Sequence, residues 1–263
     1  MARIYTLVNQ KGGVGKTTSA ITLGAYLAQL GQKVLLVDLD PQANATSSLG
    51  IDKRTVKSGS YEVLIGATPA ASPILYSHRL KLSILPSSPA LAGADVELID
   101  QPQRETRMRD MLKPIADRYD YILIDCPPSL SLLTINGILA AQNGVVIPVQ
   151  CEYLALEGLG QLTDTLNRIR SSLYPELNVR GVILTMFDKR TRLAVDVVNE
   201  VRQYFPNKVF QTVIPRSVRI AEAPSYGQPV SLYAPDSPAA IAYEELAREI
   251  IQQDGAQVSA PIS

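Results

Sequence analysis

The chain has no tryptophan, one histidine and two cysteines in 263 residues. Cys126 and Cys151 are too few for a disulfide framework, so we expect reduced thiols in a cytosolic protein. No apolar run reaches the ~18–20 residues of a membrane span. Lys11 and Lys16 interrupt the first apolar stretch, which argues against a signal peptide. The formal net charge of +0 means that any binding to nucleic acid or membrane would need a local patch.

Short apolar runs alternate with amphipathic stretches, a pattern typical of α/β proteins. We predict strands over Arg3–Val8, Lys33–Asp38, Leu80–Leu85, Tyr121–Asp125, Gly144–Pro148, Val179–Met186 and Val209–Ile214. We predict helices over Thr17–Leu30, Pro89–Asp100, Glu105–Arg118, Leu132–Ala141, Leu156–Leu173, Arg192–Tyr204 and Ser237–Gln252. The alternation indicates a doubly wound, mostly parallel β-sheet with helices on both faces. We expect one domain over residues 1–253 and a disordered tail over 254–263.

A glycine-rich turn, Asn9–Thr18, leads from the first predicted strand into the first helix. Such a turn favours phosphate binding, because its backbone N–H groups and the positive end of the helix dipole face the anion. Lys16 could reach the terminal phosphates, and the Thr17 hydroxyl could bind Mg²⁺. The usual phosphate-loop pattern requires glycine where Gln10 stands, and a second lysine, Lys11, follows instead. The loop therefore predicts a P-loop NTPase-type fold with an unusual loop start.

Three acidic residues close two of the predicted strands. Asp38 and Asp40 follow the second strand, where one could approach Mg²⁺ and the other could orient a water. Asp125 ends the apolar run from Tyr121, a pattern typical of a carboxylate that holds the Mg²⁺ shell. Taken alone, each pattern also fits an aspartate that caps a turn or helix. After a phosphate loop, the metal interpretation is favoured.

A basic segment, Lys189–Arg219, contains seven positive and two negative residues. Lys189 and Arg190 follow one predicted strand, and Arg219 follows the next, so both loops should leave the same edge of the sheet. Such a surface suits sequence-independent contacts with phosphates. A solvated helix face with scattered salt bridges explains the composition equally well.

These motifs together make the chain similar to the ParA/Soj family of partitioning ATPases, in the deviant Walker-A group that also contains MinD. The resemblance extends from about Arg3 to Gln252. It rests on Asn9–Thr18, Leu35–Gln42, Ile122–Leu133, Val149–Tyr153, Ala155–Leu159, Ile214–Arg216 and Glu222–Pro224.

The resemblance implies an ATPase that binds ATP and Mg²⁺ and forms a sandwich homodimer. Lys11 would reach the phosphates of the partner's ATP, and Asp40 would position the hydrolytic water. In the same chain, the nucleotide would contact Gly12, Gly13, Val14, Gly15, Lys16, Thr17 and Thr18, with Pro215 and Arg216 near the adenine. The metal shell would contain Thr17, Asp38 and Asp125.

The family also implies partners and a location. The ATP dimer would bind nonspecific double-stranded DNA through Lys189, Arg190 and Arg219, and a ParB-type centromere-binding protein would stimulate hydrolysis and release. The protein would be cytoplasmic and nucleoid-associated, and its cargo is not indicated.

Three other functions are alternatives. A membrane-associated ATPase of the MinD type would need a basic amphipathic C-terminal helix, whereas the chain ends in Glu249–Gly255 and a polar tail. A metabolic P-loop enzyme would need an acceptor pocket, and an iron–sulfur reductase would need cysteines placed to ligate a cluster.

Overall fold

The computed structural model describes residues 1–153 and 155–257. Its eight strands form one sheet in the order β3-β4-β2-β5-β1-β6-β7-β8. They are β1 (Arg3–Leu7), β2 (Val34–Asp38), β3 (Leu75–Ser77), β4 (Leu82–Leu85), β5 (Tyr121–Asp125), β6 (Val145–Gln150), β7 (Val179–Phe187) and β8 (Val209–Pro215). All neighbouring pairs are parallel except β3 with β4, which are antiparallel. The predicted doubly wound sheet is confirmed.

The described residues contain eleven α-helices, of which the last three follow β8. They are α1 (Lys16–Gln29), α2 (Asn44–Ser48), α3 (Ser60–Leu64), α4 (Ala94–Glu97), α5 (Arg107–Leu112), α6 (Leu132–Ala140), α7 (Ala155–Ser172), α8 (Arg192–Tyr204), α9 (Val218–Glu222), α10 (Val230–Tyr233) and α11 (Pro238–Gln253). None of them is both long enough and apolar enough to cross a membrane.

Alternate residues of the buried strands face opposite sides of the sheet. Tyr5 and Leu7 of β1 pack in one core with α1 and α11. Ile4 lies in a second core on the other side, which includes α3, α5 and part of α6. A third core joins β6 and β7 to α7 and α8. Because both faces are covered, the strands are apolar without strict polar alternation.

The topology places β1 between β5 and β6, at the centre of the sheet. The chain leaves β1 toward β2 on one side and later returns to β6 on the other. A doubly wound sheet forms a crevice at such a switch point, beyond the carboxyl ends of its strands. The phosphate loop after β1 therefore lies at the position where this fold binds ligands.

Two predicted helices are divided in the structure. The predicted helix Pro89–Asp100 begins as a 3₁₀ turn over Pro89–Gly93 and continues as α4. The predicted helix Glu105–Arg118 is α5 followed by a 3₁₀ segment over Lys113–Arg118. Pro114 has no N–H to donate to the preceding α-helical turn, which explains the change there.

The predicted start of the disordered tail at Asp254 is wrong. The Asp254 carboxylate accepts hydrogen bonds from Tyr5 and Tyr121 and pairs with Arg180. Two residues further on, Ala256 packs against the core of α1 and α11. Contacts far away in sequence hold this stretch in the fold, and they leave no local pattern. Residues 258–263 of the predicted tail lie outside the described residues.

Candidate nucleotide site

The loop between β1 and α1 has the backbone geometry of an anion site. Gly13 and Gly15 have φ angles of +76° and +90°, in the left-handed region that side chains disfavour. Gly15 is the N-cap of α1, and the first turn of α1 contains no acidic residue. The free N–H groups and the positive helix end are therefore available to a phosphate.

Lys16 is buried at the start of α1, with 7% of its surface exposed. Its Nζ donates to the carbonyl oxygen of Lys11 at 3.2 Å. Burial lowers the pKa of Lys16, and the negative charge of Asp125 is the main opposing effect. The ammonium group thus lies inside the loop with one weak protein partner, and a phosphate would satisfy its other donors.

Asp125 ends β5 beside the loop and is fully buried. Neither of its carboxylate oxygens has a hydrogen-bond partner among the described residues. The Thr17 hydroxyl is close enough to lower the pKa of Asp125 in part. Burial raises the pKa of Asp125 well above its usual range, and the charge of Asp38 adds to the rise. An unpaired buried carboxylate is costly, and a cation at this position would remove that cost.

Asp38 ends β2 and is also fully buried, but its oxygens have partners. They accept hydrogen bonds from the Asp40 and Thr46 N–H groups and from the Thr46 hydroxyl, at 3.2, 2.8 and 2.6 Å. Burial raises the pKa of Asp38 to about 6, and the bonds from Thr46 oppose this rise. These contacts attach the start of α2 to the strand end, so Asp38 positions the site more than it offers ligand atoms.

Asp40 follows β2 and lines the cleft beside the phosphate loop. It is 5% exposed, and its Oδ1 accepts the Gln42 N–H at 2.8 Å. Its side chain lines the same cleft as the glycines of the loop and Thr17. This position suits a carboxylate that orients a water against a phosphate held by the loop.

Two adjoining cavities form the site. A cleft of about 620 Å³ is lined by the loop, Asp40, Asn44, Pro128 and Met186. A second cavity of about 720 Å³ is mostly apolar and is lined by Thr185, Met186, Ile214, Pro215, Arg216, Ser217, Val218, Ile220, Ala221 and Tyr243, with Gly15 and Thr18. The predicted positions Pro215 and Arg216 therefore lie beside the phosphate loop, in a cavity suited to a base.

Sequence reasoning missed Met186, which lines both cavities. Its φ is +54°, a left-handed conformation that is uncommon outside glycine. The pairing of β7 with β8 shifts register between Leu184 and Phe187, around this residue. Met186 fell inside a predicted regular strand, so no sequence signal marked it. Asn44 was missed because α2, which it begins, is only five residues long.

The predicted DNA contacts lie at the same sheet edge, as expected, because β7 and β8 are neighbouring parallel strands. Lys189, Arg190 and Arg216 line a shared cleft of about 810 Å³. Arg219 lies outside that lining, on α9. The structure brings Lys189 and Arg190 together with a predicted base-site residue rather than with Arg219.

Two of these predicted DNA contacts already have acidic partners. The Arg190 guanidinium makes two hydrogen bonds to Asp188, at 2.9 and 2.7 Å. Arg219 pairs with Glu222 at 2.9 Å. Both acids lie just outside the segment counted from the sequence. Because the pairs are exposed, they stabilise the fold little, and a phosphate could replace either acid.

Both cysteines are buried, Cys126 fully and Cys151 with 4% exposed. Burial raises the pKa of each thiol, that of Cys151 to about 12. Neither thiol reaches a surface where a shared cluster could bind. The described residues also contain no group of three or more histidine, cysteine or acidic side chains that could hold a metal together. The iron–sulfur alternative has no support.

Comparison with known proteins identifies the family of the chain. A family model described as an AAA domain matches residues 2–179. The sporulation initiation inhibitor protein Soj of Bacillus subtilis is 50% identical over 250 residues, which covers 95% of this chain and 98% of that protein. The chromosome partitioning protein ParA of Myxococcus xanthus is 49% identical, over 97% of this chain and 89% of that protein.

Solved structures show the same fold. Cobyrinic acid a,c-diamide synthase from Mycobacterium smegmatis, with bound ADP and magnesium, has a TM-score of 0.84 and 34% identity over the whole of both chains. The septum site-determining protein MinD of Pyrococcus horikoshii, complexed with Mg-ADP, has a TM-score of 0.76 and 27% identity over 97% of this chain and 98% of that one.

The fold and the loop thus define a P-loop ATPase of the deviant Walker-A class. Within that class, the chain belongs to the ParA/Soj family of partitioning ATPases.

Proposed function

We propose that this protein is a DNA-partitioning switch controlled by ATP and Mg²⁺. The ATP-bound homodimer binds nonspecific double-stranded DNA, and hydrolysis stimulated by a ParB-type partner releases it. The observation that carries the proposal is the pair of unpartnered, fully buried oxygens of Asp125 beside the phosphate loop. Such a carboxylate fits a fold that is completed by a metal–nucleotide complex.

The roles of the site residues follow from their positions. Gly12–Thr18 hold the phosphates, and Thr17 and Asp125 hold Mg²⁺, with Asp38 behind them. Bound Mg²⁺ would neutralise charge on the phosphates. Asp40, which lines the cleft, orients the attacking water. Pro215 and Arg216 lie against the base in the adjoining cavity.

The two lysines of the loop have different roles. The Lys11 side chain is partly exposed and makes no salt bridge with the described residues, so it is free to reach a second subunit. The Lys11 carbonyl, in contrast, accepts the Lys16 ammonium. When Lys16 turns to a phosphate, this bond breaks and the Lys11 backbone is released. Nucleotide binding in one subunit thereby affects the lysine that contacts the other.

Dimerisation strengthens a weak DNA surface. The basic loops of one subunit offer few unpaired cations, because Asp188 and Glu222 occupy Arg190 and Arg219. A dimer doubles the number of phosphate contacts, and affinity rises steeply with that number. Hydrolysis that separates the subunits would then release DNA. The corresponding location is the cytoplasm, on the nucleoid.

The test is DNA affinity with ATP, with ADP and without nucleotide, measured across salt concentrations on random-sequence duplex. We expect tight, salt-sensitive binding only with ATP. Lys11→Ala should keep nucleotide binding but lose the ATP-dependent dimer peak in size-exclusion chromatography and the tight DNA binding. Lys57→Ala removes an exposed lysine elsewhere and is the matched control. Equal affinity in all three nucleotide states would overturn the proposal.

The other functions predict different outcomes. A MinD-type membrane ATPase would sediment with anionic vesicles in the presence of ATP. We expect no such sedimentation, because the apolar face of the C-terminal helix α11 packs into the core with α1. A metabolic enzyme, suggested by the 34% identical synthase, would show no nucleotide-dependent DNA binding. Addition of a ParB-type protein with its DNA site should raise the rate of ATP hydrolysis. An unchanged rate would exclude a ParB-type protein as the stimulating partner.

A further inference from the structure

A second basic cleft lies at the amino ends of β2, β4 and β5, at the other end of the sheet from the phosphate loop. It measures about 710 Å³. Its lining includes three cationic side chains, Lys33, Lys81 and Arg118, and two tyrosines, Tyr76 and Tyr119. Among the residues that the structure describes, no acidic side chain lines it.

The cations of this cleft are unpaired, unlike those of the predicted DNA surface. Lys33, Lys81 and Arg118 are exposed, and none makes a salt bridge within residues 1–153 and 155–257. The acids nearest in sequence make no ion pair with these cations, although Asp120 lies beside the cleft on the backbone of Lys33. Asp120 accepts the Lys33 backbone N–H at 2.8 Å, and Asp117 pairs with the N-terminal amine at 3.8 Å.

The backbone and an aromatic neighbour shape the cleft. Lys81 has a φ of +52° in the turn between β3 and β4, a left-handed conformation that a lysine rarely adopts. Tyr76 is 54% exposed on the edge strand β3, and its ring meets His78 edge-on at 5.0 Å between centroids. An oriented, exposed tyrosine beside unpaired cations offers a face for an aromatic group.

One simpler explanation is that these cations complement the negative end of α1, since Ala28 and Gly31 also line the cleft. The last carbonyls of α1 already accept backbone N–H groups from Leu30 and Gln32. A helix end also gives no reason for two tyrosines to line the same cleft. A ligand that combines negative charge with an aromatic ring accounts for both features.

We propose that this cleft binds nucleotide units, with phosphate groups on Lys33, Lys81 and Arg118 and a base stacked on Tyr76. Cations that follow the backbone and aromatic rings that stack on bases are the combination that recognises single-stranded nucleic acid. A free nucleotide offers the same chemistry. The site is separate from the ATP site and does not depend on the proposed DNA switch.

The test uses the full chain with the main site saturated by ADP and Mg²⁺. The probe is a fluorescein-labelled deoxythymidine oligonucleotide of about ten residues, followed by anisotropy. Lys33→Gln with Lys81→Gln should weaken binding about tenfold and reduce the magnitude of the salt slope by about 1.4, since each single-strand phosphate contact contributes ~0.7. Tyr76→Ala should weaken binding by about tenfold through lost stacking.

Lys57→Gln with Lys113→Gln is the matched control, because both lysines are exposed and lie outside the cleft. Equal weakening by the control pair, or no effect of the cleft pair, overturns the proposal. An equal Tyr76→Ala effect on duplex of the same length also overturns it, because paired bases cannot stack on a side chain. Competition by thymidine monophosphate assigns the site to free nucleotides, and its absence assigns the site to linked ones. Unchanged thermal melting confirms that the variants fold.

Discussion

Two buried carboxylates lie at opposite ends of the sheet, and only one has partners. Asp125, at the carboxyl end of β5, has no hydrogen-bond donor among the described residues. Asp254, at the amino end, accepts from the Tyr5 and Tyr121 hydroxyls at 2.8 and 3.0 Å and pairs with Arg180 at 2.9 Å. An unsatisfied buried polar group costs about 1–3 kcal/mol. The difference shows which end of the sheet is completed by the chain and which requires a ligand.

The Asp254 cluster also joins distant parts of the chain. Arg180 lies over the rings of Tyr5 and Phe210, with its guanidinium 5.7 and 5.6 Å from their centroids. The cluster therefore links β1, β7 and β8 to the residue that follows α11. Such a paired, buried charge stabilises only as a complete set, because each charge left alone would be strongly unfavourable.

The largest expected effect concerns Asp254, at the amino end of the sheet, where the chain itself supplies the partners of the carboxylate. Asp254→Ala should lower the free energy of unfolding by about 3 kcal/mol, because the largely buried Arg180 and the two tyrosine hydroxyls lose their carboxylate partner. Urea denaturation measures this. Asp236→Ala, at an exposed acid outside the cluster, should stay within about 0.5 kcal/mol of the wild type. If the two variants lose the same stability, the Asp254 cluster does not stabilise the fold specifically.

The next effect concerns catalysis at the nucleotide site, at the carboxyl end of the sheet. Asp40→Ala should lower ATP hydrolysis by about 100-fold or more, since the water loses its orienting carboxylate. Phosphate release measures turnover, and a fluorescent ATP analogue should still bind with near wild-type affinity. A variant with normal turnover would exclude Asp40 from this role.

A smaller effect tests the unpaired carboxylate itself. Without Mg²⁺, Asp125→Asn should raise the free energy of unfolding by about 1 kcal/mol, because a neutral amide is less costly to bury. The extra stability that Mg²⁺ and ATP give the wild type should largely disappear in the variant. Thermal unfolding with and without Mg·ATP measures both changes. Full ligand stabilisation of the variant would show that Asp125 does not hold the metal.

The smallest effect concerns an exposed ion pair, in contrast to the buried pair at Asp254. Asp188→Asn frees Arg190 and should raise the affinity of the ATP form for random DNA about two- to threefold, because exposed pairs are weak and exchangeable. Asp196→Asn makes the same charge change beside Arg192, where the pair is longer, at 4.0 Å. Equal gains in both variants would indicate a general charge effect instead of release of Arg190.

Much of the nucleotide site could be predicted from local patterns. The loop of Gly13 and Gly15, the lysines on either side and the acids that end β2 and β5 all occur within short stretches. Parallel strands bring such stretches to one edge. What could not be predicted was how each acid is satisfied. Asp38 and Asp125 look alike in sequence, yet Thr46 donates to the first and no described residue donates to the second.

The pattern of charges along the sequence showed less about which cations are unpaired than their positions in the fold do. The basic segment was counted without Asp188 and Glu222, which lie just outside it and pair with Arg190 and Arg219. Lys33, Lys81 and Arg118 are scattered along the sequence and showed no pattern, although the fold collects them in one cleft. Composition within a segment cannot show which cations keep a free charge.

The sequence by itself determined the strand–loop–helix of the phosphate loop, the parallel sheet and the family, because each depends on neighbours within a few residues. Only the tertiary structure decided that the Asp254 side chain is buried in a polar cluster, that Met186 lines two cavities, and that Asp125 is left without a hydrogen-bond partner among the described residues. Those outcomes depend on contacts such as that between Tyr5 and Asp254, 249 positions apart. No local pattern encodes such a contact, since it exists only after the strands have paired.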